Sequence, residues 1–285
     1  MTKVLEVTTG AWLPTANSRV RAIRAACMRA LWLEVTTYPK PGLVSLVDNG
    51  SHRDMTASHF WRSTLALRGY FGSVAAAGAS GAEFIELRNH GRDAEKRMLA
   101  ATGGVNTHRG AIFNLGLLAA AAGYAGNTGV RLGEVVKARW GPALAEHRTN
   151  PGSHGNSVAR GHGAGGALAE AQAGFPTVYE IAIPALRHAL SLGVTPEAAR
   201  VQAFFALLAV LEDTNLLYRG GAEGLQFSQS SARNFIDSGG VFTPCWLSAA
   251  TKIHAAFVQR NLSPGGCADL LAAALLINEL ETAAP

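Results

Sequence analysis

The chain has 285 residues, of which 48% are hydrophobic and 16% are charged. These values exclude a disordered chain and allow one large domain, or two small ones, with a sizeable core. The net charge of +5 with neutral histidines fits an ordinary basic surface or anionic partners such as nucleotides, because charge alone does not separate the two.

The cysteines and the N-terminus bear on the cellular compartment. Cys27, Cys245 and Cys267 show no paired spacing, so we expect no disulfide framework and no zinc motif, and a reducing cytoplasm fits. The N-terminus lacks a basic start followed by an apolar core, so we expect no signal peptide. The longest apolar runs, FNLGLLAAAAGYAG and VQAFFALLAVL, are too short or too interrupted to span a bilayer. We therefore expect a cytoplasmic protein that does not enter the membrane.

Helix signals dominate the chain. Residues 18–35 place apolar side chains near one face and arginines largely opposite, which predicts an amphipathic helix capped by Asn17 or Ser18. Prolines and glycines break this helix, and a second one is predicted to begin with Thr56 or Ser58 as its cap. Further helices are predicted at 82–101, after Arg109, and at 131–146, 166–174, 178–193, 195–215, 231–239 and 265–283.

The remaining pattern defines the fold class. Residues 147–166 are rich in Gly, Ser and Asn, which predicts a mobile loop or lid inside the domain. Alanine is abundant, strand alternation is not convincing, and no repeat of fixed period occurs. We therefore predict an all-α fold, a single compact multi-helix domain of roughly ten helices over residues 18–285, preceded by an N-terminal extension over residues 1–17.

Polar residues stand beside glycines at the ends of predicted helices in five places. The start of a helix gathers free backbone N–H groups and partial positive charge, so it is a natural phosphate-binding position. No Walker loop, dinucleotide-binding G-x-G-x-x-G, H-E-x-x-H or G-x-S-x-G motif occurs. Standard nucleotide-binding motifs therefore do not explain these clusters.

The first cluster follows the proline-rich segment and contains Lys40, Asp48, Asn49, His52, Arg53 and Asp54. If Asp48 begins a helical turn, Asp48 and His52 lie on one face. Such a pair would bind Mg²⁺ through water or act as acid and base. The alternative is a Pro-Gly turn with a solvated charged face.

The second cluster contains Asn106, Thr107, His108 and Arg109. Asn106 or Thr107 is expected to cap the following helix, with His108 and Arg109 in its first turn. Basic residues at this position oppose the helix dipole, which favours an anion bound there. The alternative is a plain helix start with Arg109 in solvent.

The third cluster contains Glu212, Asp213 and Asn215, at the predicted C-terminal end of a very apolar helix. Adjacent carboxylates are unfavourable at that end, unless a metal ion or Arg219 offsets their charge. Two carboxylates and an amide suit Mg²⁺ bound to a triphosphate. The alternative is a salt bridge between Asp213 and Arg219.

The last two clusters are glycine-rich. Gly265 and Gly266 precede the final helix and would let a ligand approach the backbone closely, while Asp269 in the first turn is most simply a complement to the helix dipole. Glu170 is the single charge on a helix of small residues, and it is expected to be either a surface residue or an inward-facing base.

As an ordered set, these segments resemble the triphosphoribosyl-dephospho-CoA synthase family. They are EVTTYPKPGLVSLVDNGSHRDM, GGVNTHRGAIFNLGLL, EAQAGFP, LEDTNLLYRGG and SPGGCADLLAAALL, and the resemblance covers most of the chain. It implies an all-helical enzyme that makes 2′-(5″-triphosphoribosyl)-3′-dephospho-CoA and adenine from ATP and 3′-dephospho-CoA. That product is the precursor of the prosthetic group on the acyl-carrier subunit of malonate decarboxylase or citrate lyase.

Two positions refine the resemblance. The segment PGLVSLVDNGSHRDM looks more like the malonate decarboxylase branch, since an Asp is expected in the citrate lyase branch where Ser45 stands. Many relatives have an Arg where this chain has Leu168. A phosphate contact made by that Arg would therefore fall to Arg160 or another residue.

The resemblance and the residue types together imply three tasks, because the transition state should be oxocarbenium-like, as in glycoside chemistry. Mg²⁺, bound with the ATP substrate, would be held by Glu212, Asp213 and Asn215. The phosphate-binding and substrate-binding candidates are Lys40, Asn49, Arg53, Asn106, Thr107, Arg109, Arg219, Gly265 and Gly266. The acid and the base would come from Asp48, His52, Asp54, His108 and Glu170, with neither role assigned.

Other functions stay open at this point. A metal-dependent nucleotide N-glycohydrolase would use water in place of the 2′-hydroxyl group. A basic helical module that binds nucleic acid would gather its arginines along one helix, whereas here they are spread over many segments, so we expect no nucleic-acid partner. The downstream phosphoribosyl-dephospho-CoA transferase and the acyl-carrier subunit are candidate protein partners, and apolar helices such as QAFFALLAVL allow a homodimer.

Overall fold

The structure, a computed structural model, describes residues 16–149 and 166–282. In these two ranges all regular secondary structure is helical. The α-helices are α1 (Ala16–Thr36), α2 (Ala57–Ala79), α3 (Phe84–Thr102), α4 (Arg109–Ala125), α5 (Leu132–Thr149), α6 (Gly166–Gln172), α7 (Ile183–Ser191), α8 (Pro196–Val210), α9 (Thr214–Asp237), α10 (Trp246–Gln259) and α11 (Gly265–Thr282). A π-helical turn at Val178–Ala182 leads into α7, and a 3₁₀ turn at Gly240–Phe242 follows α9. The predicted all-α fold is confirmed.

Helices α4, α8 and α11 form the apolar centre of the fold. Their sequences are apolar on nearly every side, as expected for helices that lack a broad solvent-facing stripe. Helix α4 packs against α1, α2, α3, α5 and α11, whereas α8 packs against α7, α9 and α11. Because α11 contacts both groups, it joins them around one hydrophobic core.

Helices α2 and α4 pack with their backbones in contact, because glycine occupies the crossing points. A Cβ atom at Gly78 would overlap the carbonyl group of Ala120, and a Cβ atom at Gly123 would overlap the carbonyl group of Ala75. This close approach fixes the axis of α4 against α2. It thereby sets where the N-terminal end of α4 lies relative to the rest of the fold.

The first helices begin close to their predicted positions, with one difference at a cap. Helix α1 already begins at Ala16, so Asn17 and Ser18 lie in its first turn and do not cap it. Residues 1–15 of the predicted extension lie outside the described residues. Helix α2 is capped by Thr56 as predicted, and the backbone N–H of Thr56 donates to Nδ1 of His59 at 3.2 Å.

The second half of the chain departs further from the prediction. The helix predicted at 231–239 is only the end of α9, which is kinked at Gly221, where φ is +62°. Helix α10 is absent from the predicted set, although it runs for 14 residues. The predicted lid at 147–166 begins inside α5, and residues 150–165 fall outside the described residues.

No single helix within residues 16–149 and 166–282 is long and apolar enough to cross a membrane. One pair of consecutive segments, Pro196–Val210 and Thr214–Phe242, is long and apolar enough when the two are taken together, but they are bent by 60° relative to each other.

We predict that Gly123→Ala destabilises the protein, because the added methyl group forces α2 and α4 apart. The free energy of unfolding should fall by about 1–3 kcal/mol, measured by chemical denaturation. Gly69→Ala on α2 is the matched control, since Gly69 is exposed with no atom within 4 Å of an added Cβ. That change should be neutral or stabilising by up to ~1 kcal/mol. Equal stability of the two variants would contradict the packing described above.

Candidate active site

A cavity of about 1110 Å³ lies where the N-terminal ends of α4, α9 and α11 meet. Residues of α1, α2, α3 and α6 also line it. Six exposed or half-exposed charged residues of the lining are here called the rim: Arg88, Arg92, Glu95, Arg109, Glu212 and Arg219. The buried polar residues of the lining, here called the floor, are Glu34, His108, Asn114, Asp213 and Ser263.

Asp213 connects the N-terminal ends of two helices. It is the N-cap residue of α9, where its Oδ1 accepts the backbone N–H of Asn215 at 2.8 Å and that of Leu216 at 3.4 Å. Its Oδ2 accepts the backbone N–H of Cys267, in the first turn of α11, at 2.9 Å. A Cβ at Gly266 would lie 2.9 Å from this Oδ2, so glycine is what allows the two helix ends to approach.

Asp269 makes a similar connection between α11 and α4. Its carboxylate accepts the backbone N–H of Ala111 and packs directly on Gly110, where a Cβ would overlap it. Burial and the nearby negative charges of Glu34 and Asp213 raise the pKa of Asp269 well above its ordinary value. This carboxyl group therefore holds its proton to higher pH than a solvated Asp does.

The position of Asp213 overturns the expectation that the third cluster lies at an unfavourable helix end. Helix α8 ends at Val210, and Asp213 begins the next helix, where the partial positive charge favours a carboxylate. The alternative salt bridge from Asp213 to Arg219 is not formed either. The helix dipole thus supplies no argument for a metal ion at this position.

Lys40 lies beneath the floor and not in the cavity. Its ammonium group donates to the carboxylate of Glu34 at 2.6 Å, to the Glu34 carbonyl at 2.6 Å and to the Val44 carbonyl at 3.4 Å. Burial lowers the pKa of Lys40, and the Glu34 carboxylate opposes that shift. Since all three N–H groups are engaged, Lys40 positions Glu34 and does not serve as the predicted phosphate ligand.

His108 is a buried, neutral imidazole on the floor. Its Nδ1 lies 2.6 Å from the hydroxyl of Ser63, and its ring meets Phe60 edge-on with centroids 5.0 Å apart. Its Nε2 has no hydrogen-bond partner among the described residues. Burial, followed by the positive charge of Lys40, lowers the pKa of His108 to about 3. Near pH 7 this ring offers a neutral donor or acceptor and not a positive charge.

The start of α4 differs from the prediction in its cap residue and in its charge. Helix α4 begins at Arg109 with His108 as its N-cap residue, and the Oδ1 of Asn106 accepts the backbone N–H of Arg109 at 3.1 Å. Arg109 forms an ion pair with Glu95, and Asn106 and Thr107 line the cavity. The expected pair of unbalanced positive charges in the first turn is therefore wrong, because one residue is neutral and the other is paired.

Six of the rim and floor residues were not predicted from the sequence: Glu34, Arg88, Arg92, Glu95, Asn114 and Ser263. Arg88 and Arg92 lie one turn apart on α3, line the cavity, and form no ion pair or hydrogen bond with another described residue. The signal was their spacing of four on one helix face, shared with Glu95. Asn114 lies on α4, where a buried amide stands alone within an apolar run, and that contrast was its signal.

Arg219 and His52 form a hydrogen-bonded group at the side of the cavity. Arg219 donates to the carbonyl groups of Ser51 and Asn261, each at 3.2 Å, and lies 3.3 Å from Nδ1 of His52. Nε2 of His52 lies 2.8 Å from the Ser263 hydroxyl. Burial and the charge of Arg219 lower the pKa of His52, so its neutral form is favoured.

A protein-family model described as ATP:dephospho-CoA triphosphoribosyl transferase matches residues 20–285. The chain belongs to this family. A relative from Acinetobacter calcoaceticus is 38% identical over 88% of this chain and 88% of its own length. One from Pseudomonas fluorescens is 41% identical over 89% of each, and one from Pseudomonas putida is 37% identical over 93% of this chain and 97% of its own.

Each of these relatives is named "Probable 2-(5''-triphosphoribosyl)-3'-dephosphocoenzyme-A synthase". No solved structure matches the chain. The resemblance to the triphosphoribosyl-dephospho-CoA synthase family is therefore confirmed, and the chain is an enzyme of the transferase class.

Several residues expected in the transferase site lie outside the cavity lining, namely Asp48, Asn49, Arg53 and Asp54. Asp48 is not in a helix; its Oδ1 accepts the backbone N–H of Gly50 at 2.8 Å and lies 3.1 Å from Nε2 of His254. The predicted pairing of Asp48 with His52 is therefore wrong. Asp54 is exposed and approaches His52 at 3.7 Å.

Glu170 is partly buried in the cavity wall of the transferase. Its carboxylate accepts the backbone N–H of Thr177 at 2.8 Å and the Thr177 hydroxyl at 2.9 Å. Burial raises the pKa of Glu170, which the hydrogen bonds partly oppose. Leu168 lines the same wall. Arg160 lies outside the described residues.

The described residues of the transferase contain no group of three or more His, Cys, Asp or Glu side chains arranged to hold a metal ion. Both oxygens of Asp213 accept backbone N–H groups, as described above. Glu212 is exposed, and Asn215 packs beside Gly265, with 2.9 Å between its Nδ2 and a Cβ placed there. Of the three predicted metal ligands, Glu212 and Asn215 line the cavity and are exposed to solvent, whereas Asp213 is buried.

Proposed function

We propose that this transferase moves the 5-triphosphoribosyl group of ATP to the 2′-hydroxyl of 3′-dephospho-CoA and releases adenine. The bond from C1 of the ribose to the adenine nitrogen breaks, a bond from that carbon to the acceptor oxygen forms, and the hydroxyl proton balances the one adenine gains. The observation that carries this proposal is the graded cavity, with a cationic exposed rim and a polar buried floor. Its volume of about 1110 Å³ is slightly larger than is usual for a single small-molecule site, which suits two nucleotide substrates.

The rim is suited to the triphosphate. Arg88 and Arg92 present two guanidinium groups without an acidic partner among the described residues, and repulsion between them is relieved by a bound anion. Arg219 adds a third positive charge to the rim. These three residues replace Lys40 and Arg53 as the phosphate ligands in our account.

Mg²⁺ would accompany the triphosphate. It usually keeps several waters and needs only one or two protein carboxylates beside substrate phosphates. Glu212 fits this requirement, with Asn215 beside it, whereas Asp213 is held by three backbone N–H groups. When bound, the ion would neutralise part of the negative charge of the triphosphate, a group that stays intact in the product.

The floor is suited to the reacting ribose. An oxocarbenium-like transition state gains positive charge, and the buried acidic residues Glu34 and Asp213 supply negative potential in a site of low dielectric constant. Asp269 retains its proton to raised pH, so we assign it as the acid that protonates adenine as it leaves.

Glu170 is the residue we assign as the base for the acceptor hydroxyl. It lines the cavity, and its raised pKa brings it closer to the working range of a general base. His108, with a pKa of about 3, is too weak a base near pH 7 and acts in our account as a neutral hydrogen-bonding group. His52 has both ring nitrogens in contact with protein groups, so its role is to position Arg219.

The proposal also places the enzyme in the malonate decarboxylase branch, with the acyl-carrier subunit as the final recipient. It includes a cytoplasmic location and an association with the downstream transferase. Ser45, on which the branch assignment depends, accepts the backbone N–H groups of Val47 at 3.0 Å and Asp48 at 3.4 Å. An Asp would make the same turn. Citrate lyase is therefore the alternative recipient, and the product of the reaction is the same.

We predict that adenine release from Mg-ATP requires 3′-dephospho-CoA, and that the CoA product gains the mass of a triphosphoribosyl group. Chromatography of adenine and mass spectrometry of the product measure both. Adenine release without the acceptor would instead support a nucleotide N-glycohydrolase. No release under either condition would contradict the proposed function.

We predict that Asp269→Asn lowers kcat by about 10²–10⁴-fold, because the amide cannot give up a proton to adenine. Wild-type activity should fall as pH rises through the raised pKa of Asp269, since only the protonated form is active. The variant should lose that part of the pH profile. Asp93→Asn, at an exposed site on α3, is the matched control and should keep the wild-type profile. Activity of Asp269→Asn within a few-fold of wild type would contradict the assignment.

A further inference from the structure

The unpartnered polar atoms of the structure gather at one place. Among the described residues, four buried side-chain nitrogen or oxygen atoms have no hydrogen-bond partner. Three of these atoms belong to the cavity lining: Nε2 of His108 and both Oδ1 and Nδ2 of Asn114. The fourth is Nε of Arg139, outside the cavity.

Asn114 is the most costly of these. It is 1% exposed, and both its donor and its acceptor lack partners. A buried polar group without a partner destabilises the folded protein, while an apolar residue of similar size at the same place would not. Its neighbours on α4 are apolar, so the helix itself gives no reason for an amide there.

The place of Asn114 on α4 indicates what could pair with it. Asn114 follows Gly110 by one helical turn, and Gly110 is where Asp269 packs on α4. Asn114 therefore lies on the face of α4 against which Asp269, the proposed proton donor on α11, packs, and on the buried side of the cavity. The cavity lining also includes Leu31, Leu117 and Ala272, which offer an apolar surface to a flat ring.

We infer that Asn114 binds the 6-aminopurine ring of the donor nucleotide through its side-chain amide. An amide presents one donor beside one acceptor, and adenine presents the complementary pair along either edge that carries its amino group. The donor's negative charge is all in its triphosphate, which the rim attracts, so the neutral base is the part suited to the floor. This inference rests on the proposed function and names the residue that selects its substrate.

The acceptor, 3′-dephospho-CoA, also carries adenine, so the ring that pairs with Asn114 could in chemical terms belong to either substrate. The donor's ring is favoured because it is the leaving group, and Asp269 of α11 packs on Gly110, one turn before Asn114 on α4. Binding there would hold the ring beside the acid that we assign to protonate it.

The test compares ATP with purine riboside 5′-triphosphate, which lacks the 6-amino group, as donors for wild type and Asn114→Leu. Wild type should prefer ATP in kcat/KM by roughly 10-fold or more, since the analogue leaves the amide acceptor unpaired. Asn114→Leu should reduce that preference at least several-fold towards the intrinsic reactivity difference of the two donors. That intrinsic difference cancels when the kcat/KM ratio of the two donors for wild type is divided by the same ratio for the variant, as in a double-mutant cycle. An unchanged preference would overturn the inference.

Two controls separate binding from folding. Leu115→Met, at a buried site on the same helix outside the cavity lining, should keep the wild-type preference. Asn114→Leu should be at least as stable to heat as wild type without substrate, because it removes an unpaired amide. Lower stability with an unchanged preference would show that Asn114 has a structural role instead. Asn114→Ala gives a second variant if leucine is too large to fold.

A second arm uses 3′-dephospho-CoA whose adenine lacks its amino group. If Asn114→Leu alters discrimination only between the two acceptors, the donor assignment is overturned. Equilibrium binding of ATP and its analogue needs no turnover, so it tests Asn114 even if wild type releases no adenine. Failure of the proposed function and failure of this inference therefore give different results.

Discussion

Asp213 holds the N-terminal ends of α9 and α11 together at the floor of the cavity, and the rest of the site depends on this contact. Three backbone N–H groups from two helices converge on one buried carboxylate. Asp269, carried by the second of these helices, then reaches α4. Burial of a carboxylate is unfavourable, and it raises the pKa of both residues. For Asp213 the helix N–H donors offset this unfavourable energy, whereas Asp269 avoids it by retaining its proton. Two side chains thus hold together the helix N-termini that form the cavity.

This arrangement separates two electrostatic environments over one cavity. Exposed arginines carry positive charge where water also screens it, whereas the acidic residues lie where the dielectric constant is low and their potential is stronger. A substrate with a polyanionic end and a neutral end is oriented by that difference. The same difference suits a reaction whose transition state gains positive charge at the sugar while the phosphates stay unchanged.

Apolar periodicity predicted the all-α class and most helices, because burial of one helix face leaves a local signature. It missed the start of α9, since LEDTN was assigned to the end of the preceding apolar helix, although Asp is a residue type that caps helix starts. The environment of Lys40 was equally out of reach, because it depends on Glu34 from α1 and on burial. The candidate residues His52, His108 and Glu170 were found in sequence from residue type, yet their charge states follow from burial that no motif records. Asn114 was visible only as an exception to an apolar pattern.

Backbone hydrogen exchange in Asp213→Asn tests the role of this carboxylate most directly, with Asp93→Asn as the control. We expect the N–H of Cys267 to lose protection by roughly 10-fold or more, because the amide of asparagine cannot accept all three bonds. That loss should be the same with and without Mg²⁺. Unchanged protection, together with a higher Mg²⁺ concentration for half-maximal activity, would show instead that Asp213 is a metal ligand and would contradict this account.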